Sequence, residues 1–98
     1  MLARVISLYV QPGRLDEVDN ANRTSLLPET ETYDGFRTML ILRNEDTNEM
    51  LELTLWRDEE GRLESERAGG LLEWKLNALE AITGEATSVE NYELRLIS

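Results

Sequence analysis

In LELTLW, residues 51–56, Leu51, Leu53 and Leu55 alternate with Glu52, Thr54 and Trp56, and strict period-two alternation predicts a β-strand with two unlike faces. LARVISLYV, residues 2–10, is instead apolar on both faces: Leu2, Ile6, Leu8 and Val10 on one, Ala3, Val5 and Tyr9 on the other. That pattern predicts a strand covered on two sides. Gln11-Pro12-Gly13-Arg14 follows with type II turn chemistry, Pro fixing the first central position and Gly supplying the positive φ of the second. The spacing then changes to three and four. Leu15, Val18, Asn22 and Leu26 share one helical face, Asp16 and Glu17 occupy the first turn where the helix dipole favours anions, and Pro28 ends or kinks the helix.

Asp34-Gly35 marks a turn into a second strand, FRTMLILR, residues 36–43. Residues 44–48 have the composition of a hairpin loop, so residues 49–56 run back beside that strand. Asp58 is a natural N-cap, with Glu59 and Glu60 in the first turn of a helical stretch that Gly69-Gly70 interrupts. Leu71, Leu72, Lys75, Leu76, Leu79 and Ile82 resume on one broad face, and Gly84 is placed to terminate the helix. A last strand spans residues 88–97 through Val89, Tyr92, Leu94, Leu96 and Ile97. The order β-α-β-β-α-β predicts a ferredoxin-like α+β fold, a four-stranded antiparallel sheet with its helices on one face. The other face would stay open, and a first strand apolar on both sides predicts a face-to-face homodimer. Parity leaves the two faces of residues 51–56 open. The leucines best suit the helix-packed core, which would send Glu52 and Thr54 to the dimer seam and turn Trp56 out of register.

Composition removes whole classes of chemistry. Ninety-eight residues suit one domain spanning 1–98. Without cysteine there is no disulfide, thiolate metal site or nucleophilic thiol, and without histidine the commonest general base, metal ligand and haem ligand are gone. Carboxylates remain, but no D-x-[DN]-x-[DN]-G pattern organises them, so no metal is expected. A net charge of -10 repels nucleic acid. No apolar run approaches the roughly 20 residues of a membrane helix, and Met1 to Val5 lacks the basic start of a signal peptide, so a cytoplasmic location is expected.

VQPGRLDEV, YDGFRTMLILRNEDTNEMLELTLWRDEE and SVENYEL together resemble the antibiotic biosynthesis monooxygenase family of dimeric α/β barrels, over nearly the whole chain. The resemblance implies a homodimer with a pocket in each protomer between sheet and helices. One branch of that family oxygenates electron-rich polycyclic phenols without metal or flavin; another degrades haem using an Asn on the first strand and a Trp and a His after the third. Aligned on the Pro-Gly turn and Trp56, this chain has Ile6, Ser65 and Lys75 near those places, so the haem-degrading route is not expected. What the resemblance implies is a cofactor-independent monooxygenase acting on an aromatic phenol or quinol. The alternative is a member of the fold that binds a small ligand, or serves in stress, without catalysis.

The pocket candidates are Arg4, Asn22, Trp56, Tyr92 and Arg37, with Tyr9 beside them. Each also has a plainer role. Trp56 can fill the space between sheet and helix, Arg4 can pair with Glu52 on another strand, and Asn22 can bond to backbone. Glu52 could act as the base that histidine cannot be here, or simply form an ion pair. The tyrosine rings suit strand packing with their hydroxyls reaching solvent or a partner, and the acids of residues 58–66 suit a solvated helix face.

Overall fold

Strand β1 (Leu2–Tyr9) runs into the turn that its sequence predicts. The Arg14 N–H donates to the Gln11 carbonyl at 3.0 Å, and Gly13 takes a φ of 85°, which only glycine adopts freely. The chain then forms α1 (Leu15–Ala21), widens through a π turn at Asn22–Leu26, and returns to α geometry as α2 (Leu27–Thr30). Pro28 accounts for the widening. It has no N–H, and its ring crowds the carbonyl four residues earlier in a regular helix. In the π turn the Leu27 N–H reaches back five residues to the Asn22 carbonyl. The helix therefore continues past Pro28 to Thr30, whose hydroxyl donates to the Leu26 carbonyl at 2.6 Å. Leu15, Val18, Asn22 and Leu26 are all buried, as their spacing predicts.

β2 (Phe36–Asn44) and β3 (Glu49–Trp56) form the hairpin. The Asn44 side-chain oxygen accepts the N–H groups of Asp46 and Thr47, and Asn48 turns the chain at a φ of 60°. Asp58 caps α3 (Glu59–Ser65) by accepting the Gly61 N–H at 2.9 Å. A left-handed Gly69 separates α3 from α4 (Leu71–Thr83), and β4 (Ser88–Glu93) closes the sheet. The computed structural model describes residues 1–83 and 88–98, so the expected stop at Gly84 lies outside the described residues. The sheet order is β2-β3-β1-β4 with every neighbouring pair antiparallel, the ferredoxin-like arrangement.

The last strand is shorter than its apolar pattern predicts. The Leu94 N–H, donating to the Met1 carbonyl at 2.9 Å, is its final rung against β1. Leu96 and Ile97 are about nine-tenths exposed, beyond any partner strand among the described residues.

The register settles which face is which. Leu8 stands opposite Met50, Ile6 opposite Glu52, Arg4 opposite Thr54 and Leu2 opposite Trp56, and this is the row beneath the helices. Ser7, Val5 and Ala3 pair with Leu51, Leu53 and Leu55 on the other side. The expected assignment is thus reversed: Glu52, Thr54 and Trp56 are buried in the helix-packed layer, in register, and the three leucines lie half-buried on the open face. Two constraints outrank leucine's preference for a core. Lys75, from α4, meets its acidic partner only if Glu52 points inward, and Trp56 fits between the edges of Tyr33 and Phe36, at centroid distances of 6.4 and 5.8 Å. Leu40, 49% exposed, and Leu42, 55% exposed, extend the apolar open face along β2. The apolar half of the inner layer gathers Ile6, Leu8, Val18, Leu26, Met50 and Leu79.

Gly35, in the turn before β2, and Gly61, in α3, lie backbone to backbone. A Cβ built on Gly61 would come 2.9 Å from the Gly35 Cα. Gly61→Ala should therefore destabilise the protein by about 1–3 kcal/mol in urea unfolding, through overpacking against backbone. Relief from helical glycine alone would give a gain of about 1 kcal/mol, so the sign of the change tests the contact.

Candidate functional site

Beneath the helices, the end of the inner layer formed by the start of β1 and the end of β3 is polar rather than apolar. Arg4, Glu52, Thr54, Ser65 and Lys75 are all buried there around Trp56. β1 and β3 supply Arg4, Glu52, Thr54 and Trp56 at alternate positions, α3 supplies Ser65 in its last turn, and α4 supplies Lys75 on its apolar stripe. The Lys75 ammonium lies 2.5 Å from a Glu52 carboxylate oxygen, with both side chains fully buried. They meet as a buried ion pair, and the second Glu52 carboxylate oxygen has no protein hydrogen-bond partner.

Arg4 completes the group. One of its guanidinium nitrogens donates to Ser65 Oγ at 2.6 Å, and that hydroxyl donates in turn to the Arg62 carbonyl at 2.6 Å. The guanidinium carbon stands 5.1 Å from the centroid of the Trp56 ring, a cation–π contact, while the indole N–H donates to Thr54 Oγ1 at 3.0 Å. Arg4 Nε and Nη2 remain without protein partners. Burial pulls the Arg4 pKa down to about 10, against the pull of Glu66 and Glu52, and the nearby Arg62 lowers it further. Burial likewise holds the Lys75 pKa below its usual value, an effect that Glu52 opposes and Arg4 reinforces. Two cations and one carboxylate thus share a water-shielded volume against an indole face. Such a group can take up an anion and hold an aromatic ring.

Of the residues proposed from the sequence, Arg4 and Trp56 come together here. Arg4 approaches Glu52 only electrostatically; its hydrogen bond goes to Ser65, and Lys75 is the direct partner of Glu52. Asn22 is buried apart from the group, at the π turn, with no protein partner for either atom of its carboxamide. Arg37 is exposed at a bulge between Phe36 and Thr38 and donates to the carbonyls of Asp34 and Phe36. Tyr92, 54% exposed, sits on the open face. Tyr9 lies on that face too, where a hydrogen bond to Glu49 raises its pKa. The residues not anticipated for the site are Lys75 and Ser65. A clear sequence feature points to the first: Lys75 is the only lysine among ten basic residues, and it interrupts an otherwise apolar helical stripe.

A wider surface cleft of about 510 Å³ lies on the outer side of Trp56, between the turn at residues 32–35 and α3. It is rimmed by Glu29, Asp34, Glu60 and Glu64 and includes none of the buried charges. Among the described residues, no three acidic side chains converge as a metal site. No helix among the described residues is long and apolar enough to cross a membrane.

Residues 1–69, which carry β1 to β3 and α1 to α3, match the antibiotic biosynthesis monooxygenase family model. The chain belongs to that family. Lys75 lies just past the matched stretch. No curated protein matches the chain. Among solved structures, the monooxygenase of the ActVA-Orf6 gene of Streptomyces coelicolor, in complex with nanaomycin D, superposes with a TM-score of 0.82 at 12% identity over 99% of this chain and 89% of its own. A variant of SnoaB, a cofactor-independent oxygenase from Streptomyces nogalater, gives 0.72 at 18% identity over 97% and 93%. A conserved protein of Methanosarcina mazei Go1 gives 0.72 at 20% identity over 97% and 94%. At these identities the likeness establishes the family fold, and the chemistry must come from this chain's own residues.

The Glu52–Lys75 pair makes a sharp stability prediction. Lys75→Met strands a carboxylate in the interior and should cost about 3–5 kcal/mol in urea unfolding. The double variant Glu52→Leu/Lys75→Met removes both charges and should be neutral or more stable by about 1–4 kcal/mol. The native pair also carries a pH signature. Because the folded Lys75 pKa lies below the unfolded one, the unfolded chain binds more protons between the two, and this contribution to stability rises with pH across that window. The double variant should lack that component.

Proposed function

We propose that the chain is a cofactor-independent monooxygenase that oxidises an electron-rich aromatic phenol or quinol, working as a homodimer. The observation that carries this reading is the buried group of Arg4, Glu52 and Lys75 charges beside the Trp56 ring, in which Arg4 Nε and Nη2 have no protein partner. Glu52 serves as counter-ion to Lys75. An entering phenol gives its proton to Glu52, and the phenolate replaces the carboxylate between the two cations. Charge is conserved, and the anion is favoured because both cations are already in place. Trp56 holds the ring, and the closed layer excludes water that would compete for the phenolate.

The phenolate passes one electron to O₂. The resulting radical pair joins at the activated ring carbon, and protonation gives a hydroperoxide. Loss of water from that carbon leaves a carbonyl. One oxygen atom enters the product and the other leaves as water with two hydrogens from the substrate, so the reaction needs no outside reductant. The family match and the likeness to a cofactor-independent oxygenase support this reading. The complete burial of Arg4, Glu52 and Lys75 favours the second reading, a non-catalytic ligand-binding member of the family. The homodimer reading rests on the open sheet face, where Leu40, Leu42 and Tyr92 are about half exposed beside Leu51, Leu53 and Leu55.

Purified metal-free protein should consume O₂ above a boiled blank with at least one member of a panel of anthrones, naphthols and hydroquinones. The uptake should survive Trp74→Ala and vanish in Glu52→Leu/Lys75→Met, which keeps the fold by the stability prediction above. No uptake from folded protein on any of these compounds would leave the non-catalytic reading. In sedimentation at micromolar concentration the protein should run as a dimer and Leu53→Glu as a monomer. A monomeric native protein would remove the proposed partner from the open face.

A further inference from the structure

Asn22 presents the other unsatisfied group in the interior. It is 3% exposed, and neither its side-chain oxygen nor its nitrogen has a protein partner. A buried carboxamide left in that state costs about 1–3 kcal/mol for each unmet group. Nothing in the helix requires it, because leucine at position 22 would complete the stripe of Leu15, Val18 and Leu26. Asn22 is the first residue of the π turn that Pro28 imposes. Asn22 borders a cleft of about 330 Å³ between that turn and β2, with its carboxamide atoms shielded from solvent. Leu27, Met39 and Ile41 give the cleft apolar walls, and Asp19, Arg23 and Arg43 stand at its rim, Asp19 and Arg43 paired with each other at 2.5 Å. Arg43 is further neutralised by Asp16 at 3.0 Å. Ile41 is the cross-strand neighbour of Glu52, yet none of Arg4, Glu52 and Lys75 lines the cleft.

We propose that this cleft is a binding site for a small, neutral, apolar-bodied secondary lactam, read by Asn22. A carboxamide satisfies its oxygen and its nitrogen at once with a ligand edge that carries a donor and an acceptor side by side, and an N–H next to a C=O is such an edge. A lactam ring holds the two on one edge, whereas an open-chain trans amide points them apart. A carboxylate offers no donor to the carboxamide oxygen, and a simple phenol offers a single O–H donor. The apolar walls select an apolar body, and the volume is at the small end of the range for ligand sites, about 300–1,000 Å³. This assignment is independent of the oxygenase reading and stands or falls without it.

The test is an NMR titration of the full-length protein with 2-quinolinone, with N-methyl-2-quinolinone as the control that keeps the body and the carbonyl but loses the N–H. Saturable shifts of the Asn22 side-chain NH₂ and of Met39 and Ile41 are expected, with the N-methyl compound weaker by about tenfold or more. Asn22→Leu should weaken 2-quinolinone by a similar factor while raising Tm, because it removes the unmet groups and completes the apolar stripe. Equal affinity for the two compounds, unchanged affinity in Asn22→Leu, or no saturable shift would overturn the proposal. A lowered Tm in Asn22→Leu would overturn it as well, since the carboxamide would then be satisfied within the fold itself.

Discussion

The ion pair between Glu52 and Lys75 constrains more of this structure than any apolar contact does. A lysine on the inner stripe of α4 must find a carboxylate or lose its charge, and the strand below offers one at Glu52. Once Glu52 points inward, the pleat of β3 takes Met50, Thr54 and Trp56 with it and carries Leu51, Leu53 and Leu55 to the opposite face. One polar contact thereby fixes the orientation of an entire strand. It also creates the half-exposed apolar outer surface of the sheet.

Such a pair is a poor way to stabilise a small domain. Apolar side chains of similar size would do as well or better, and the same holds for a leucine in place of Asn22. The chain nevertheless keeps two cations, a carboxylate and a carboxamide in its interior, all with unmet hydrogen-bonding capacity. The apolar half of the core, from Leu8 and Met50 to Val18 and Leu79, holds the fold around them. Under the proposed oxygenase reading, that division of labour would serve a preorganised site, with the charges already desolvated before a ligand arrives.

Much of the architecture could be read from local chemistry. Pro12-Gly13 set the first turn, Asn44 organised the hairpin loop, Asp58 capped α3, and the spacing of Leu15, Val18, Asn22 and Leu26 identified the buried helix face. These features depend on neighbours close in sequence. The face of β3 does not, and there the hydrophobic pattern pointed the wrong way, because a strand whose outer side is also apolar satisfies leucine on either side. The correct face was encoded in charge: Arg4 in an apolar row of β1 and the lone Lys75 in an apolar stripe of α4 both call for an acid between them. β4 was overestimated for a related reason. Leu94, Leu96 and Ile97 look like strand residues, but pairing with β1 ends at Met1.

Because Lys75 is the only lysine, its side-chain amine can be observed without ambiguity in protein made with ¹⁵N,¹³C-lysine. Following that single Nζ and Cε signal from pH 6 to pH 12 tests directly whether a charged centre is held inside the fold. The structure predicts a slowly exchanging ammonium at neutral pH that titrates below the ordinary lysine value of about 10.4. A rapidly exchanging amine titrating at or above that value would mean that Lys75 is solvated. The buried centre, and the orientation of β3 that depends on it, would then be wrong.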